Sequence, residues 1–369
     1  MNKQFWIFLV LSGFFIAPLL ADDNLAFTNL RQKGMGGAGI ARTFDSSALY
    51  INPAGLARAK FSINLPLRVR ADVGTSFLDK LSSYSDLINA SSKSQRSSNL
   101  AKLLPITIPF GYAISPVLAF TQENFSVGLF CQGNTSIKLV NPVSPEFQMS
   151  GYTDISPMIG LSDTYTVAGQ KVSLGATLRY VSRSRLIDAT GSFVYKKQIA
   201  DLLADTKQDL SASVANLSGI GGDVGAMMPV GEGNFGAVLY NLGSSLSGEA
   251  VGRTLTEQLP MHLGIGYAQP VNLDFIPFVG SYVGTLDTAI DLKLLNNDMY
   301  KNIYMGVEKK ILGDVLSLRG GLHQGYPTLG LSVDLMVIKF NYAYYTEEFG
   351  AKLGYEPQSF HGIETVLLF

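Results

Sequence analysis

Cysteine, histidine, tryptophan and charge are all scarce in this sequence of 369 residues. The single cysteine, Cys131, excludes a disulfide within the chain and a metal site built from several cysteines. The three histidines are His262, His323 and His361, and no Gly-x-Ser-x-Gly motif accompanies them. Nucleophilic catalysis needs a nucleophile with a base and an orienting partner. The sequence therefore predicts no enzyme activity, no metal site and no cofactor.

Charge gives no sign of an anionic partner. The 28 basic and 29 acidic residues leave a formal net charge of −1, and charged residues make up 15% of the chain. Without a positive field, nothing attracts a nucleic acid. The sequence therefore predicts no nucleic-acid partner.

Long apolar runs are absent after the first 21 residues. Lys3 is followed by FWIFLVLSGFFIAPLL and then by Ala21, a pattern typical of a secretory signal peptide over residues 1–21. No later run approaches the roughly 20 residues of a transmembrane helix. Yet 47% of the residues are hydrophobic and the mean hydropathy is +0.20. Because only helices and closed β-barrels can bury apolar surface in lipid, a barrel is the alternative to a large soluble core.

Apolar residues alternate with small polar residues from about residue 59 onward. Val172, Leu174 and Leu178 share one face of a predicted strand, whereas Ser173 and Arg179 share the other. In a soluble sandwich the second face would carry many Lys and Glu residues, but here it carries Gly, Ser, Thr and Asn. The pattern predicts an all-β fold, a transmembrane antiparallel β-barrel with lipid outside and a polar lumen. A secreted β-sandwich or a soluble barrel is the remaining alternative.

Charged residues in these strands are expected to face the lumen. An Arg or Lys at the lipid-facing midplane costs about 2–4 kcal/mol. The charges that this argument selects are Arg179, Arg319, Asp334 and Lys339. Their expected role is to pair with one another and anchor the N-terminal segment. Alternatively, Arg179 or Arg319 binds the carboxylate of an amphipathic ligand, which a guanidinium matches with two hydrogen bonds.

Two stretches depart from the alternation, and the C-terminus follows it. Apolar residues at helical spacing predict amphipathic helices in loops near residues 77–104 and 197–217, which cap the barrel rim or contact a ligand. The sequence ends in IETVLLF, with Ile363, Leu367 and Phe369 spaced by twos. This ending resembles the terminal strand recognised by the outer-membrane barrel assembly machinery, which is therefore an expected partner through Phe369.

Five of the six residues at 34–39, within KGMGGAGIA, are glycine or alanine. Gly34, Gly36 and Gly39 have the spacing of a dinucleotide-binding turn, which needs a hydrophobic strand before it and a helix after it. The polar sequence DDNLAFTNLRQ precedes them instead. Gly34, Gly36, Gly37 and Gly39 are therefore interpreted as packing residues, at which the backbone approaches other backbone closely or adopts a positive φ.

Two longer stretches resemble a known family. GMGGAGIARTFDSSALYINPAGLA resembles the N-terminal plug of the FadL-type outer-membrane transporters of hydrophobic compounds. LRGGLHQGYPTLGLSVDLMVIKFNYAYYTEEFG, residues 318–350, resembles the penultimate hairpins of the PorV-like branch, whose members include barrel proteins of the type IX secretion system. The resemblance implies a barrel of about 14 strands in the bacterial outer membrane, formed by residues 58–369 and plugged by residues 22–57.

The resemblance also implies a function, the passive uptake of hydrophobic or amphipathic small molecules such as long-chain fatty acids. The family's Asn-Pro-Ala motif falls on Asn52, Pro53 and Ala54, which with Gly55 form the expected ligand-binding or gating part of the plug. The alternatives are a PorV-like docking component that binds secretion-system proteins, or a structural surface barrel. An apolar cavity reaching Asn52 would favour transport, whereas a lumen filled by plug side chains, with an exposed rim patch, would favour docking.

Overall fold

The chain folds into a closed ring of antiparallel β-strands. The computed structural model describes residues 28–64, 68–75, 106–140, 146–198, 214–274, 284–294 and 298–367, together with positions 89, 92, 95 and 99. The predicted signal peptide, residues 22–27, nearly all of the predicted helical loop at 77–104 and Phe369 lie outside the described residues. Among the described residues, no helix is long and apolar enough to cross a bilayer.

The strands follow one another along the chain, mostly as hairpins. They are β1 (Ser62–Asn64), β2 (Arg68–Gly74), β3 (Ile106–Gln122), β4 (Phe125–Val140), β5 (Glu146–Val167), β6 (Gln170–Leu186), β7 (Tyr195–Gln198), β8 (Val214–Val230), β9 (Gly233–Leu242), β10 (Ser245–Ala250), β11 (Arg253–Gln258), β12 (His262–Asn272), β13 (Thr285–Leu294), β14 (Ile303–Ile311), β15 (Leu316–His323), β16 (Tyr326–Asp334), β17 (Ile338–Glu348) and β18 (Pro357–Leu367).

Fourteen of these strands form the ring, which omits the short strands β1, β7, β10 and β11. Each ring strand is hydrogen-bonded to the next, β9 pairs with β12 across the omitted hairpin, and β18 pairs with β2 to close the ring. Closure gives each of the fourteen ring strands a hydrogen-bonded neighbour on both sides, as lipid requires. The predicted all-β fold and the antiparallel barrel of about 14 strands are confirmed.

The two faces of the wall are inverted relative to those of a soluble protein. On β6, the side chains of Leu174 and Leu178 are 47% and 56% exposed on the outside, while Ser173, Thr177 and Arg179 are buried on the inside. The period of two places these sets on opposite faces. The predicted face assignment is therefore confirmed, since apolar residues cover the outside and polar residues line the lumen.

The wall is tall on one half of the ring and short on the other. Strands β3 to β6 and β8 contain 16 to 22 residues, whereas β9 and β12 to β18 contain 8 to 11. We call the end where residues 123–124, 168–169 and 231–232 join strands the short-turn end, and the opposite end the long-loop end. Gly222 of β8 pairs with the last residue of β9, so residues 214–221 rise beyond β9 at the long-loop end.

The hairpin of β10 and β11 folds into the ring at the long-loop end. Its Leu246 and Leu259 pack against Val181, Ala215 and Leu217 on the inner face of the tall half. The hairpin covers apolar side chains that would otherwise line a polar lumen. Nothing in the alternation of the sequence predicted it.

The predicted helical loop at 197–217 is wrong at both ends, because residues 197–198 belong to β7 and 214–217 to β8. Residues 199–213 lie outside the described residues. Val214 faces outward and Leu217 faces the hairpin, so apolar residues occupy both faces of β8 here. That arrangement breaks the alternation and imitates helical spacing, while pairing with β6 fixes the backbone as a strand.

Candidate functional site

Residues 28–61, which we call the N-terminal segment, lie against the inner face of the wall. The segment contains the helices α1 (Leu30–Gly34) and α2 (Ala48–Ile51) and a 3-10 helix over Pro53–Arg58. Asn29 caps α1 by accepting a hydrogen bond from the Gln32 backbone N–H at 2.8 Å. Leu30 then packs between β17 and β18, and the 3-10 helix packs against β5, β6 and β8.

Glycines on the inner face of the wall bring the segment close to the strands. A Cβ on Gly175 would overlap the Pro53 carbonyl group, and a Cβ on Gly306 would overlap the Met35 carbonyl group. Sequence reasoning missed this set, although its signal was glycine on the polar face of alternating strands. The inward wall glycines in contact with the segment are Gly160, Gly175, Gly225, Gly236, Gly264, Gly266, Gly306, Gly321, Gly330 and Gly362.

The segment glycines lie at equally close contacts. A Cβ on Gly34 would come within 2.9 Å of the Gly330 Cα atom. Gly36 and Gly37 have φ angles of +65° and +84°, which L side chains rarely adopt. A Cβ on Gly39 would lie 3.2 Å from the Gln32 amide nitrogen. The run therefore forms a tight turn pressed against β15 and β16.

The Asn-Pro-Ala-Gly stretch joins two parts of the segment to β8. Asn52 is completely buried. Its amide nitrogen donates to the carbonyl oxygens of Ile40 at 2.9 Å and Ala226 at 3.3 Å, and its amide oxygen accepts from the Ala54 N–H at 3.1 Å. Pro53 is the first residue of the 3-10 helix, where it loses no hydrogen bond. Gly55 lies against the Thr43 carbonyl group, where a Cβ would not fit.

Replacing Asn52 with alanine is expected to destabilise the protein by about 1–3 kcal/mol, because the buried Ile40 carbonyl and Ala54 N–H lose their partners. Equilibrium unfolding in urea would measure the change in the free energy of unfolding. Asn216→Ala is the control, since Asn216 is an exposed residue of β8, the strand that Asn52 contacts. Equal stability of the two variants would contradict a structural role for the Asn52 amide.

A cluster of three arginines around one glutamate ties the segment to the short half of the ring. Glu308 of β14, only 1% exposed, accepts hydrogen bonds from Arg31 at 3.0 and 2.6 Å and from Arg42 at 2.7 Å. Arg319 of β15 donates to the same carboxylate at 2.7 Å. Arg42 also pairs with Asp287 at 2.7 Å. Charge-assisted bonds of this kind are among the strongest in proteins.

Backbone groups of the glycine turn are held by two further wall residues. The Asp291 carboxylate accepts the N–H groups of Gly39 at 2.7 Å and Ile40 at 3.0 Å. The Thr328 hydroxyl accepts from the Gly36 N–H at 3.1 Å and donates to the Gly34 carbonyl at 3.2 Å. Polar contacts therefore hold this turn in place.

The four predicted lumen charges separate into three locations. Arg319 belongs to the Glu308 cluster. Arg179 pairs with Asp223 of β8 at 2.9 Å and also donates to Asn241. Asp334 and Lys339 pair with each other at 3.3 Å at the short-turn end and are about one-third exposed. Both arginines are thus engaged by carboxylates of the wall itself. Glu308 and Asp291, which bind the segment, were not selected from the sequence.

Two cavities lie on opposite sides of the glycine turn. A cavity of 60 Å³ is lined by Lys33 and Gly37 together with Arg70 and other charged side chains of the wall. A cavity of 220 Å³ is lined by Met35 and Gly39 and continues towards the short-turn end. Residues 33–39 therefore form the partition between them. Both linings mix charged and apolar groups.

A third cavity, of 250 Å³, lies at the long-loop end. Lys138, Arg185, Glu257, Tyr152 and Phe349 are among its lining residues. Arg185 and Glu257 pair at 3.3 Å, yet the Arg185 Nε and Glu257 Oε2 atoms are buried and have no hydrogen-bond partner within the described part of the chain. The cavity thus combines aromatic surface with unused charged hydrogen-bonding groups, which suits a small amphipathic molecule.

Within the same described residues, no three His, Cys, Asp or Glu side chains come together as a metal site. His262 stacks on Tyr240, and His323 packs edge-on against Tyr304. His361 lies on the outer face, where its Nδ1 atom is 2.8 Å from the Tyr342 hydroxyl. The three histidines therefore lie in separate aromatic contacts.

Comparison with known proteins identifies the fold. No protein-family model matches the chain, and no curated protein does. A deletion mutant of the TodX monoaromatic hydrocarbon channel aligns over 93% of this chain and 98% of its own, with a TM-score of 0.50 and 13% identity. The P. putida toluene transporter TodX (91% and 97% covered, TM-score 0.46, 13% identity) and a Pseudomonas aeruginosa FadL homologue (96% and 100%, 0.45, 10%) give lower scores. The chain therefore shares the barrel fold of the TodX channel mutant.

Proposed function

We propose that this protein is a bacterial outer-membrane channel for hydrophobic or amphipathic small molecules, and that the N-terminal segment is its plug. The observation that carries the proposal is the partition at residues 33–39, which separates a cavity on the long-loop side from one on the short-turn side. The fold supports it, since the TodX mutant with which the chain aligns is described as a monoaromatic hydrocarbon channel.

Transport would begin at the cavity of 250 Å³. Phe349 and Tyr152 offer apolar surface, and Arg185 offers a guanidinium group for a carboxylate. We assign to Arg185 the role that the sequence gave to Arg179 or Arg319, because wall carboxylates engage those two, whereas the buried Arg185 Nε has no hydrogen-bond partner among the described residues. Long-chain fatty acids combine both features, and outer-membrane lipid surrounds the apolar exterior.

Passage would require displacement of residues 33–39, so we place the gate there rather than at Asn52–Gly55. The glycine turn has few side chains to interlock with the wall, and hydrogen bonds to Asp291 and Thr328 anchor it, together with the ion pair of Lys33 and Glu347 at its start. Bonds of this type can be exchanged for bonds to water during opening. Asn52 instead fastens the following part of the plug to β8, where it serves as a fixed point.

Protein docking is the second candidate, and the filled lumen favours it. The cavities of 60 and 220 Å³ do not form one apolar path to Asn52, and residues 33–39 of the plug occupy the space between them. A PorV-like component needs no path through the barrel. A structural surface barrel would also need no path through the lumen. A transport measurement therefore separates the channel from both of these alternatives.

The deciding experiment measures uptake of a fluorescent long-chain fatty acid by liposomes containing the refolded chain 22–369. We expect uptake above that of empty liposomes, and faster uptake by Asp291→Asn, because an amide binds the Gly39 and Ile40 N–H groups less strongly than a carboxylate. Asp188→Asn is the control, since Asp188 lies in a loop at the long-loop end, away from the plug. A deletion of residues 22–57 removes the plug, so its uptake should be at least as fast as that of Asp291→Asn.

Uptake by the wild type that is unchanged in Asp291→Asn would leave the channel in place and reject the gate at residues 33–39. No uptake by any correctly folded variant, including the deletion, would reject transport. Protein docking would then be the function to pursue.

A further inference from the structure

Two neighbouring turns at the short-turn end expose large apolar side chains. Leu312, between β14 and β15, is 72% exposed, and Met336, between β16 and β17, is 87% exposed. The Asp334 N–H donates to the Val315 carbonyl oxygen at 2.8 Å and joins the two turns. We call residues 312–315 and 335–337 the apolar turns.

The backbone of the apolar turns is strained at the most exposed side chains. Leu312 has a φ angle of +55° and Met336 one of +68°, in the left-handed region where glycine or asparagine is favoured. Both positions therefore combine a strained backbone with a bulky apolar side chain outside the protein. Strain of this kind persists at sites where the surroundings of the residue compensate for it.

The apolar turns continue the lipid-facing surface of the wall. Leu329, Leu331 and Val333 point outward from β16 with a period of two. Strand β16 ends at Asp334. The turn after it exposes two further apolar side chains, Leu335 at 51% and Val337 at 59%. No change from apolar to polar residues marks the end of the strand on this face.

The height of the wall explains why the apolar surface extends so far. Strand β15 contains 8 residues and β16 contains 9. At about 3.4 Å per residue and a tilt of about 40°, they cover roughly 21–23 Å. The apolar band of an outer-membrane barrel is about 25 Å tall. Strands β15 and β16 therefore fall slightly below this height, and the apolar turns that follow β14 and β16 supply the difference.

Lys309, which shares the outward face of β14 with Val307, lies at the level of the apolar turns. The Lys309 amine reaches the Thr285 carbonyl oxygen at 3.2 Å, near the short-turn end of β13. Apolar side chains beside lysine amines are typical of a membrane interface, where amines reach the lipid phosphates.

We propose that the apolar turns are immersed in the lipid leaflet at the short-turn end, at the boundary between headgroups and acyl chains. They extend the part of the wall formed by β15 and β16 to the thickness of the membrane. The occupant of this surface is therefore lipid and not a protein partner. The inference rests on the membrane placement in the proposed function.

Tryptophan fluorescence can test the depth of these turns, because Trp6 is the only tryptophan and the chain 22–369 has none. Single tryptophans would be introduced as Leu312→Trp and Met336→Trp. Leu331→Trp, on the outer face of β16, reports on the wall, and Glu232→Trp reports on an exposed polar turn at the same end. Each variant is reconstituted in phosphatidylcholine vesicles carrying acyl chains brominated at a defined depth.

We expect lipids brominated near the headgroup to quench Leu312→Trp and Met336→Trp at least twice as strongly as Glu232→Trp. Aqueous iodide should show the opposite order. If iodide reaches both turns as readily as Glu232→Trp while brominated lipid quenches Leu331→Trp, the inference is overturned and the membrane placement stands. If brominated lipid leaves Leu331→Trp unquenched in a folded barrel, the membrane placement itself fails.

Discussion

Replacing Glu308 with glutamine is expected to release the first part of the N-terminal segment from the wall. The carboxylate binds Arg31 and Arg42 of the segment and Arg319 of β15, so its neutralisation leaves three guanidinium groups around an uncharged amide. Removing one partner from a buried ion pair costs about 3–5 kcal/mol. The remaining repulsion acts between the segment and the wall, and the segment is the part that can move.

Trypsin digestion would measure this release, because Arg31, Lys33 and Arg42 are cleavage sites held inside the ring. We expect cleavage in this region to accelerate in Glu308→Gln, together with faster fatty-acid uptake. Glu364→Gln is the matched control, since Glu364 is a buried inward carboxylate that accepts from Asn341 at 2.6 Å. Adding Arg42→Gln to Glu308→Gln removes one guanidinium of the cluster, so cleavage after Arg31 and Lys33 should slow again. Wild-type cleavage rates in Glu308→Gln would show that the cluster does not hold the segment.

Exchanging Gly321 for leucine is expected to open the partition. A Cβ there would overlap the Met305 carbonyl oxygen of β14 and would lie 2.7 Å from the Gly36 nitrogen and 2.9 Å from the Met35 carbonyl carbon. The paired wall strands are held on both sides, so we expect the glycine turn to move away from β15. Overpacking of this kind costs about 1–3 kcal/mol. If this free-energy cost applies only when the plug is closed, the ratio of closed to open plugs falls about 5–150-fold. Fatty-acid uptake should therefore be faster in Gly321→Leu than in the wild type.

The neighbouring residue provides the control for this substitution. A Cβ on Gly320 meets only the Thr328 carbonyl oxygen, at 3.8 Å, so Gly320→Leu leaves the plug undisturbed. The two variants have the same composition and differ in the face that receives the leucine. Equal uptake by Gly320→Leu and Gly321→Leu would contradict a gate at residues 33–39. Faster uptake by Gly321→Leu alone would locate the gate beside β15.

The wall of the barrel could be predicted from sequence because its information is local. From Val172 to Arg179 of β6, each apolar residue is followed by a small or polar one, and the period alone assigns Leu174 to lipid and Ser173 to the lumen. No knowledge of neighbouring strands is needed. The alternation breaks down at Val214 and Leu217, because the inward hairpin packs against Leu217 and both faces of β8 are apolar there.

The contacts of the plug could not be predicted in the same way. Glu308 lies 277 positions from Arg31, and Asp291 lies 252 positions from Gly39. Nothing in the sequence around Glu308 distinguishes it from other glutamates in alternating strands. Only ring closure brings β13 and β14 beside a segment at the opposite end of the chain. The glycines of KGMGGAGIA could be identified as packing residues, but their partners on the wall could not.

Closure of the ring by β18 and β2 also determines the order of assembly. The strands that meet at this seam come from opposite ends of the described chain, and the plug precedes β2 immediately. Leu30 packs against Phe360 of β18, so one of its contacts appears only with the strand that seals the ring. The contact of the plug with Phe360 is therefore completed together with the seam of the ring.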